Sequence, residues 1–157
     1  MTTIVTRLAG LHDLDAIASM FNAYRQFYEQ PSDLELTREF IRTRLQNSES
    51  IILLAADSSG QSAGFCQLYP SFCSVEAQAI YTLYDLFVRP EFRRAGAGKA
   101  LLLAAHDHAQ TAGRVRMDLT TAKTNLAAQA LYESLGWVRD EVFLAYNKRV
   151  ALGVTKP

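Results

Sequence analysis

Between residues 79 and 113 the hydrophobic pattern changes character, and that change constrains the fold more than any other feature of the chain. Residues 79–88 read as a long strand that ends at Pro90. A loop with two glycines, Gly96 and Gly98, follows, and residues 98–113 are an Ala/Leu-rich helix with Gly113 as its stop. Glycines at such a junction let the backbone turn tightly and come close to a ligand. The first amides of the helix have no partner within it and carry partial positive charge, which makes an anion site suited to phosphate. Arg93, Arg94 and Lys99 add mobile positive charge to the same loop. The loop is not a P-loop, because no Gly-Lys-Ser/Thr follows a four-residue gap. It is not a dinucleotide fingerprint either, because Gly96-Ala97-Gly98 lacks the third glycine and lies deep in the chain after a hairpin.

The rest of the pattern surrounds this junction with alternating elements. Residues 3–8 alternate as a short strand. Leu11, Leu14, Ile17, Ala18, Phe21, Tyr24 and Tyr28 recur at helical spacing in a helix that Pro31 stops. Ser32 and Glu35 form a capping-box pattern, opening a second helix with the stripe Leu36, Phe40, Ile41 and Leu45. Residues 50–57 and 63–69 are a hairpin around Ser58-Ser59-Gly60-Gln61. Beyond the central helix come a strand at 115–120, a helix at 125–135 with Gly136 past its end, and a final strand at 142–150. The order β-α-α-β-β-β-α-β-α-β predicts an α/β domain with a mixed sheet.

Composition removes several alternatives. The chain has 157 residues, the size of one ordinary domain, and no linker or repeat divides it. Its 16 basic and 16 acidic residues cancel, so bulk charge does not draw it to nucleic acid. The basic cluster at 89–99 is a local exception. Cys66 and Cys73 form no CxxC pair, so we expect reduced thiols and no structural zinc. No apolar run approaches the ~20 residues of a membrane helix, and the first residues do not read as a signal peptide. The expectation is a cytoplasmic protein with no membrane partner and no metal. His12, His106 and His108 carry no HExxH pattern and are expected at the surface.

Two stretches together resemble the GNAT acetyltransferase superfamily. Arg93-Arg94-Ala95-Gly96-Ala97-Gly98 matches its pyrophosphate-binding pattern. Asn125 and the run Ala130-Leu131-Tyr132-Glu133-Ser134-Leu135-Gly136-Trp137 match its later coenzyme-binding helix. The element order matches too, so the resemblance covers nearly the whole chain, residues 1–157, as a single acetyl-CoA-dependent domain. The Tyr84-Asp85-Leu86-Phe87-Val88 strand is most similar to the small branch that includes polyamine and histone-type acetyltransferases. The resemblance implies a mixed, largely antiparallel sheet with a splayed central pair of parallel strands, flanked by helices.

It also implies residue roles. Acetyl-CoA, the acetyl-donor cosubstrate, would lie where strands 79–88 and 115–120 part. Arg93, Arg94, Ala95, Gly96, Ala97, Gly98 and Lys99 would surround its pyrophosphate. The main chain of Leu86, Phe87 and Val88 would pair with the pantetheine and polarise the acetyl carbonyl, as an oxyanion hole does. Asn125 would line the pantetheine arm, and Tyr132 would protonate or hydrogen-bond the departing thiolate. A protonated primary amine of pKa about 10.4 has no lone pair to attack with, so a general base is needed. Asp85 is the carboxylate in the strand beside the acetyl site, as that base or as an anchor for a cationic substrate. Branch relatives often carry an acid one residue earlier, where this chain has Tyr84. Tyr24 and Tyr28 stand on the substrate side, suited to hold a cation by cation–π contact or to serve as core aromatics. Glu76 and Tyr81 are further candidates.

The implied activity is acetyl transfer from acetyl-CoA to the primary amine of a small molecule, by direct attack in a ternary complex. A protein or peptide acceptor and a non-catalytic CoA-binding sensor are the alternatives. Relatives often dimerise, and the strand expected at 142–150 offers an edge for a homodimer.

Overall fold

A computed structural model describes residues 2–153. The chain divides after Thr120 into two compact units. The first carries a five-stranded sheet in the order β1-β2-β3-β4-β5. Its strands are β1 (Ile4–Leu8), β2 (Ile51–Asp57), β3 (Ser62–Cys73), β4 (Gln78–Val88) and β5 (Met117–Asp118). The first four pair antiparallel, and β5 joins β4 in parallel. Three helices accompany them: α1 (Leu14–Phe27), α2 (Leu34–Gln46) and α3 (Ala97–Thr111).

Both faces of the sheet are covered, which is why β2 and β3 lack a polar alternate. Ile52, Leu53, Leu54 and Ala55 are all buried, as are Ala63, Phe65, Cys66, Gln67 and Leu68. On one face Ile52, Leu54, Phe65 and Phe87 pack with Leu14, Ile17, Met20 and Phe21 of α1 and Ile41 of α2. On the other, Leu101, Leu102 and Ala105 of α3 are buried, and the Cys66 thiol lies 4.0 Å from the Leu101 carbonyl oxygen. Each buried side chain of this size contributes roughly 1.5–3 kcal/mol, so the two layers fix where β4 runs.

Several expectations need correction. The first helix begins as a single 3-10 turn, Leu11–Asp13, and α1 ends at Phe27 rather than near Gln30. The cap of α2 is Asp33, whose carboxylate accepts the Leu36 amide at 3.0 Å. Ser32 instead accepts a hydrogen bond from the Asn22 side chain, which braces the α1–α2 connection. Within α2 the buried positions are Thr37 and Ile41, while Leu36 and Phe40 are exposed. The strand expected at 115–120 shortens to two residues.

The second unit holds α4 (Leu126–Ser134) and, among the described residues, no strand. The strand expected at 142–150 is absent, and with it the edge expected for pairing between copies. Alternating apolar residues make a strand only where a ladder accepts their backbone. Here the Asp140 carboxylate takes the amides of Val142 and Phe143 at 2.8 and 2.9 Å, a local turn that competes with a ladder. Val142, Phe143, Leu144, Tyr146 and Val150 are exposed.

Candidate active site

The site is built on the outer half of β4. Its parallel pairing with β5 covers Tyr81↔Met117 and Thr82↔Asp118 and stops there. From Leu83 to Val88 no strand pairs with that edge among the described residues. On its other side β4 pairs with β3 throughout, with one irregularity: Gln67 faces Asp85, and Leu68 faces Leu83. Tyr84 is therefore an extra residue, a β-bulge, and bulges recur beside active sites because they re-aim side chains. The Tyr84 ring is exposed, and its carbonyl accepts the Tyr24 hydroxyl at 3.3 Å. The bulge also changes which face β4 offers. Leu83 shares a face with Leu68, whereas Asp85 shares the opposite face with Gln67 and the α1/α2 core.

Asp85 is only 4% exposed. Gln67 Nε2 donates to its Oδ2 at 2.7 Å, and Ser50 Oγ donates to Gln67 Oε1 at 2.7 Å. The Tyr24 hydroxyl also stands within hydrogen-bonding reach of the carboxylate, with Tyr28 beside Tyr24. Burial pushes the proton affinity of Asp85 above that of an ordinary aspartate, against the pull of the Gln67 and Tyr24 donors. Burial and the Asp85 charge together raise the Tyr24 phenol far above its usual range, so it stays protonated and donates. The same two causes push Tyr69 up to about 12. Two tyrosine pairs lie here: Tyr24 with Tyr28, centroids 5.1 Å apart, and Tyr69 with Tyr84, 5.5 Å apart. Burial pushes the Cys66 thiol up to about 12, which leaves it no role as a nucleophile.

The glycine loop follows directly. A 3-10 turn at Pro90–Phe92 buries Phe92, and the Arg93 guanidinium reaches the Val88 carbonyl at 3.3 Å. Arg94 and Gly96 then adopt left-handed backbone, with φ of 68° and 85°. Gly96 precedes the first residue of α3, and a Cβ placed on it would meet nothing within 4 Å. The space in front of the helix start is therefore open. The amides of Ala97, Gly98 and Lys99 have no intrahelical partner by helix geometry, and Arg93, Arg94 and Lys99 are exposed beside them. This arrangement fits a pyrophosphate.

In the second unit Asn125 is the N-cap of α4, its side-chain oxygen accepting the Ala128 amide at 3.2 Å. Tyr132, two turns along that helix, stacks at a tilt on Trp137, with centroids 6.0 Å apart. Other candidates lie away from Asp85. Glu76 sits in the β3–β4 connection and pairs with Arg116 at 3.2 Å. Tyr81 is buried, with His108 stacked on its ring at 5.9 Å and the Arg114 guanidinium over it at 5.0 Å. His108 is thus half-buried rather than a surface residue, while His12 and His106 are exposed. Sequence reasoning missed Gln67, Ser50 and Tyr69. The readable signal was Gln67 itself, a polar residue inside the apolar run from Ala63 to Leu68.

A model of the acetyltransferase (GNAT) family matches residues 15–137, and the chain belongs to that family of acetyl-transferring enzymes. It is 46% identical over 140 residues to the uncharacterised N-acetyltransferase YhfO of Bacillus subtilis, covering 89% of this chain and 93% of that one. A crystal structure described as a probable acetyltransferase is 39% identical, with a TM-score of 0.86 over 95% of this chain and 98% of the other. The fold is shared at 20% identity by the aminoglycoside N-acetyltransferase AAC(6')-Iy, solved with CoA, at a TM-score of 0.78 over 96% and 97% of the two chains. The mixed sheet with its single parallel pair and flanking helices is the architecture these structures share. Acetyl-CoA is the donor in this family.

Proposed function

We propose that the protein transfers an acetyl group from acetyl-CoA to the primary amine of a small cationic molecule, with Asp85 as the general base. One observation carries the reading: a buried carboxylate of raised proton affinity stands on the unpaired, bulged part of β4, between two tyrosine pairs. A carboxylate beside aromatic faces suits an ammonium group on arrival. A raised proton affinity suits a base that must then remove a proton near neutral pH. The family match crosses the division at Thr120 and supports reading the chain as one catalytic domain.

Acetyl-CoA supplies an activated acetyl group as a thioester. In this reading the amides of Arg94, Gly96, Ala97 and Gly98 would hold its pyrophosphate, with Arg93 and Lys99 as flanking charges, while the Ala95 amide is taken by the Phe92 carbonyl at 3.2 Å. The main chain of Leu86, Phe87 and Val88 offers its unpaired edge to the pantetheine and an amide to the acyl oxygen. Tyr24 and Tyr28 face the amine. The motif around Asn125 and Tyr132 supports a pantetheine contact for the first and a proton donor to the thiolate for the second.

The test is a thiol-release assay with acetyl-CoA across free polyamines, amino acids, aminoglycosides and peptide N-termini. Saturable turnover on a small cationic amine is expected. Turnover confined to peptides overturns the small-molecule acceptor. Saturable acetyl-CoA binding without turnover on any amine overturns the enzymatic reading in favour of a CoA-binding sensor.

A further inference from the structure

Ser50, Gln67 and Asp85 form a hydrogen-bonded string with one polarity. Ser50 has a hydroxyl proton to give, and it gives it to Gln67 Oε1 at 2.7 Å. The carboxylate fixes which way round the amide lies, because the flipped amide would set Oε1 against Asp85 and bring two acceptors together. Nε2 therefore faces the carboxylate, at 2.7 Å. Ser50, Gln67 and Asp85 are 6%, 0% and 4% exposed, so water offers no substitute partner. The string crosses three neighbouring elements: Ser50 immediately precedes β2, Gln67 lies on β3 and Asp85 on β4. Gln67 and Asp85 are register partners, and Tyr84 bulges out beside them.

We propose that Gln67, its amide held between Ser50 and the carboxylate, is a positioning residue that fixes the orientation of Asp85 and sets the pH above which it can accept a proton. This rests on Asp85 being the base. Gln67 touches neither substrate nor acetyl-CoA in this account and acts through Asp85. A donor aimed at a carboxylate favours its charged form. Gln67 therefore limits the rise that burial causes. The other groups acting on Asp85 come from every side. Tyr24 of α1 lies beside it, its hydroxyl donating to the Tyr84 carbonyl, with Tyr28 adjacent to Tyr24. Cys66 and Tyr69 of β3 sense its charge, Arg44 of α2 acts on Tyr69, and Tyr84 of β4 meets the Tyr69 ring edge to face. Burial pushes the Tyr24 and Tyr69 phenols and the Cys66 thiol up, so these three keep their protons near neutral pH and do not obscure the titration.

The experiment compares wild type, Gln67→Met, Ser50→Ala and Asp85→Asn. It reads the pH profile of kcat/KM, and separately the carboxyl carbon of Asp85 by NMR titration in the protein without ligand. Gln67→Met should move the acid limb to higher pH by about one pH unit, a tenfold gain in proton affinity. Ser50→Ala should move it the same way by less, since the amide stays but loses the donor that polarises it. The NMR titration should shift in parallel, and saturating acetyl-CoA binding should be unchanged. If Gln67→Met does not fold, Ser50→Ala alone carries the test. An unmoved acid limb and an unmoved carboxyl titration in the folded variants overturn the proposal. If the titration moves but Asp85→Asn retains full activity, the assignment of Asp85 as base fails instead, and the proposal falls with it.

Discussion

Burial raises the proton affinity of Asp85 above that of an aspartate in an unfolded chain, which titrates near pH 3.9. The folded state therefore holds this proton more tightly than the unfolded state does. The stabilising effect is complete below about pH 3.9 and is lost as pH rises through the folded value. Above that value the ionised side chain opposes folding. Asp85→Asn should thus raise the melting temperature at pH 7, with the gain shrinking toward pH 4, while acetyl transfer falls by about a hundredfold or more. Thermal melts across pH and the thiol-release rate check the two halves. Asp13 has the opposite sign. The Arg7 guanidinium, at 2.7 and 2.8 Å, holds its carboxyl below the usual range, so its contribution disappears as pH falls through that lowered value. Tyr132→Phe should slow turnover and not abolish it, because a thiol of pKa about 8.5 leaves without a strong acid. A steady-state kcat lowered by about tenfold, with acetyl-CoA binding retained, is the expected result. Asp85 was legible because a carboxylate inside an apolar strand has few bland explanations. Its partners Gln67 and Ser50 were not, because their meeting depends on strand register, and a bulge shifts that register without marking the local pattern.

At the scale of elements, the junction of β3 with β4 depends on Gly64. A Cβ there would lie 2.5 Å from the Phe87 carbonyl oxygen and 3.2 Å from the Val88 Cα, both backbone atoms that yield only if the strands separate. Gly64→Ala should cost about 2 kcal/mol or more of stability by urea denaturation. It should also weaken acetyl-CoA binding by calorimetry, because the displaced backbone is that of Leu86, Phe87 and Val88. Gly96 is constrained differently: its space is open, but its φ of 85° strains any other residue. Helix ends show how far local pattern reaches. Both Ser32 and Asp33 are good caps, and only the Asn22 side chain, which takes the Asp33 amide at 2.9 Å and bonds Ser32, decides between them. The segment at 142–150 shows the converse. Its alternation is real, but a strand is a relation between two segments, and Asp140 engages its first amides locally.

Across the whole molecule, a net charge of zero hides an uneven distribution. Arg93, Arg94 and Lys99 stand exposed around the open start of α3. Acetyl-CoA affinity should therefore fall as ionic strength rises from 0.05 to about 0.5 M, where the screening length contracts to a few ångströms. Isothermal titration at several salt concentrations checks this, and an affinity that does not change with salt would place the binding energy in the backbone amides alone. The helices flanking the sheet were legible through the family resemblance, whereas the burial of β2 and β3 on both faces shows only in the packing of α1, α2 and α3.

The bulge in β4 has one more consequence. Counting outward from Leu83↔Leu68, a chain without Tyr84 would bring Asp85 opposite Gln67 by ordinary succession. Every side chain of β3 and β4 would keep its face, and the ladder would close without a gap. The sheet, then, gains nothing from the extra residue. A single-codon deletion of Tyr84 should leave a folded protein whose melting temperature is not lowered, while Tyr24 loses the carbonyl that accepts its hydroxyl and acetyl transfer falls.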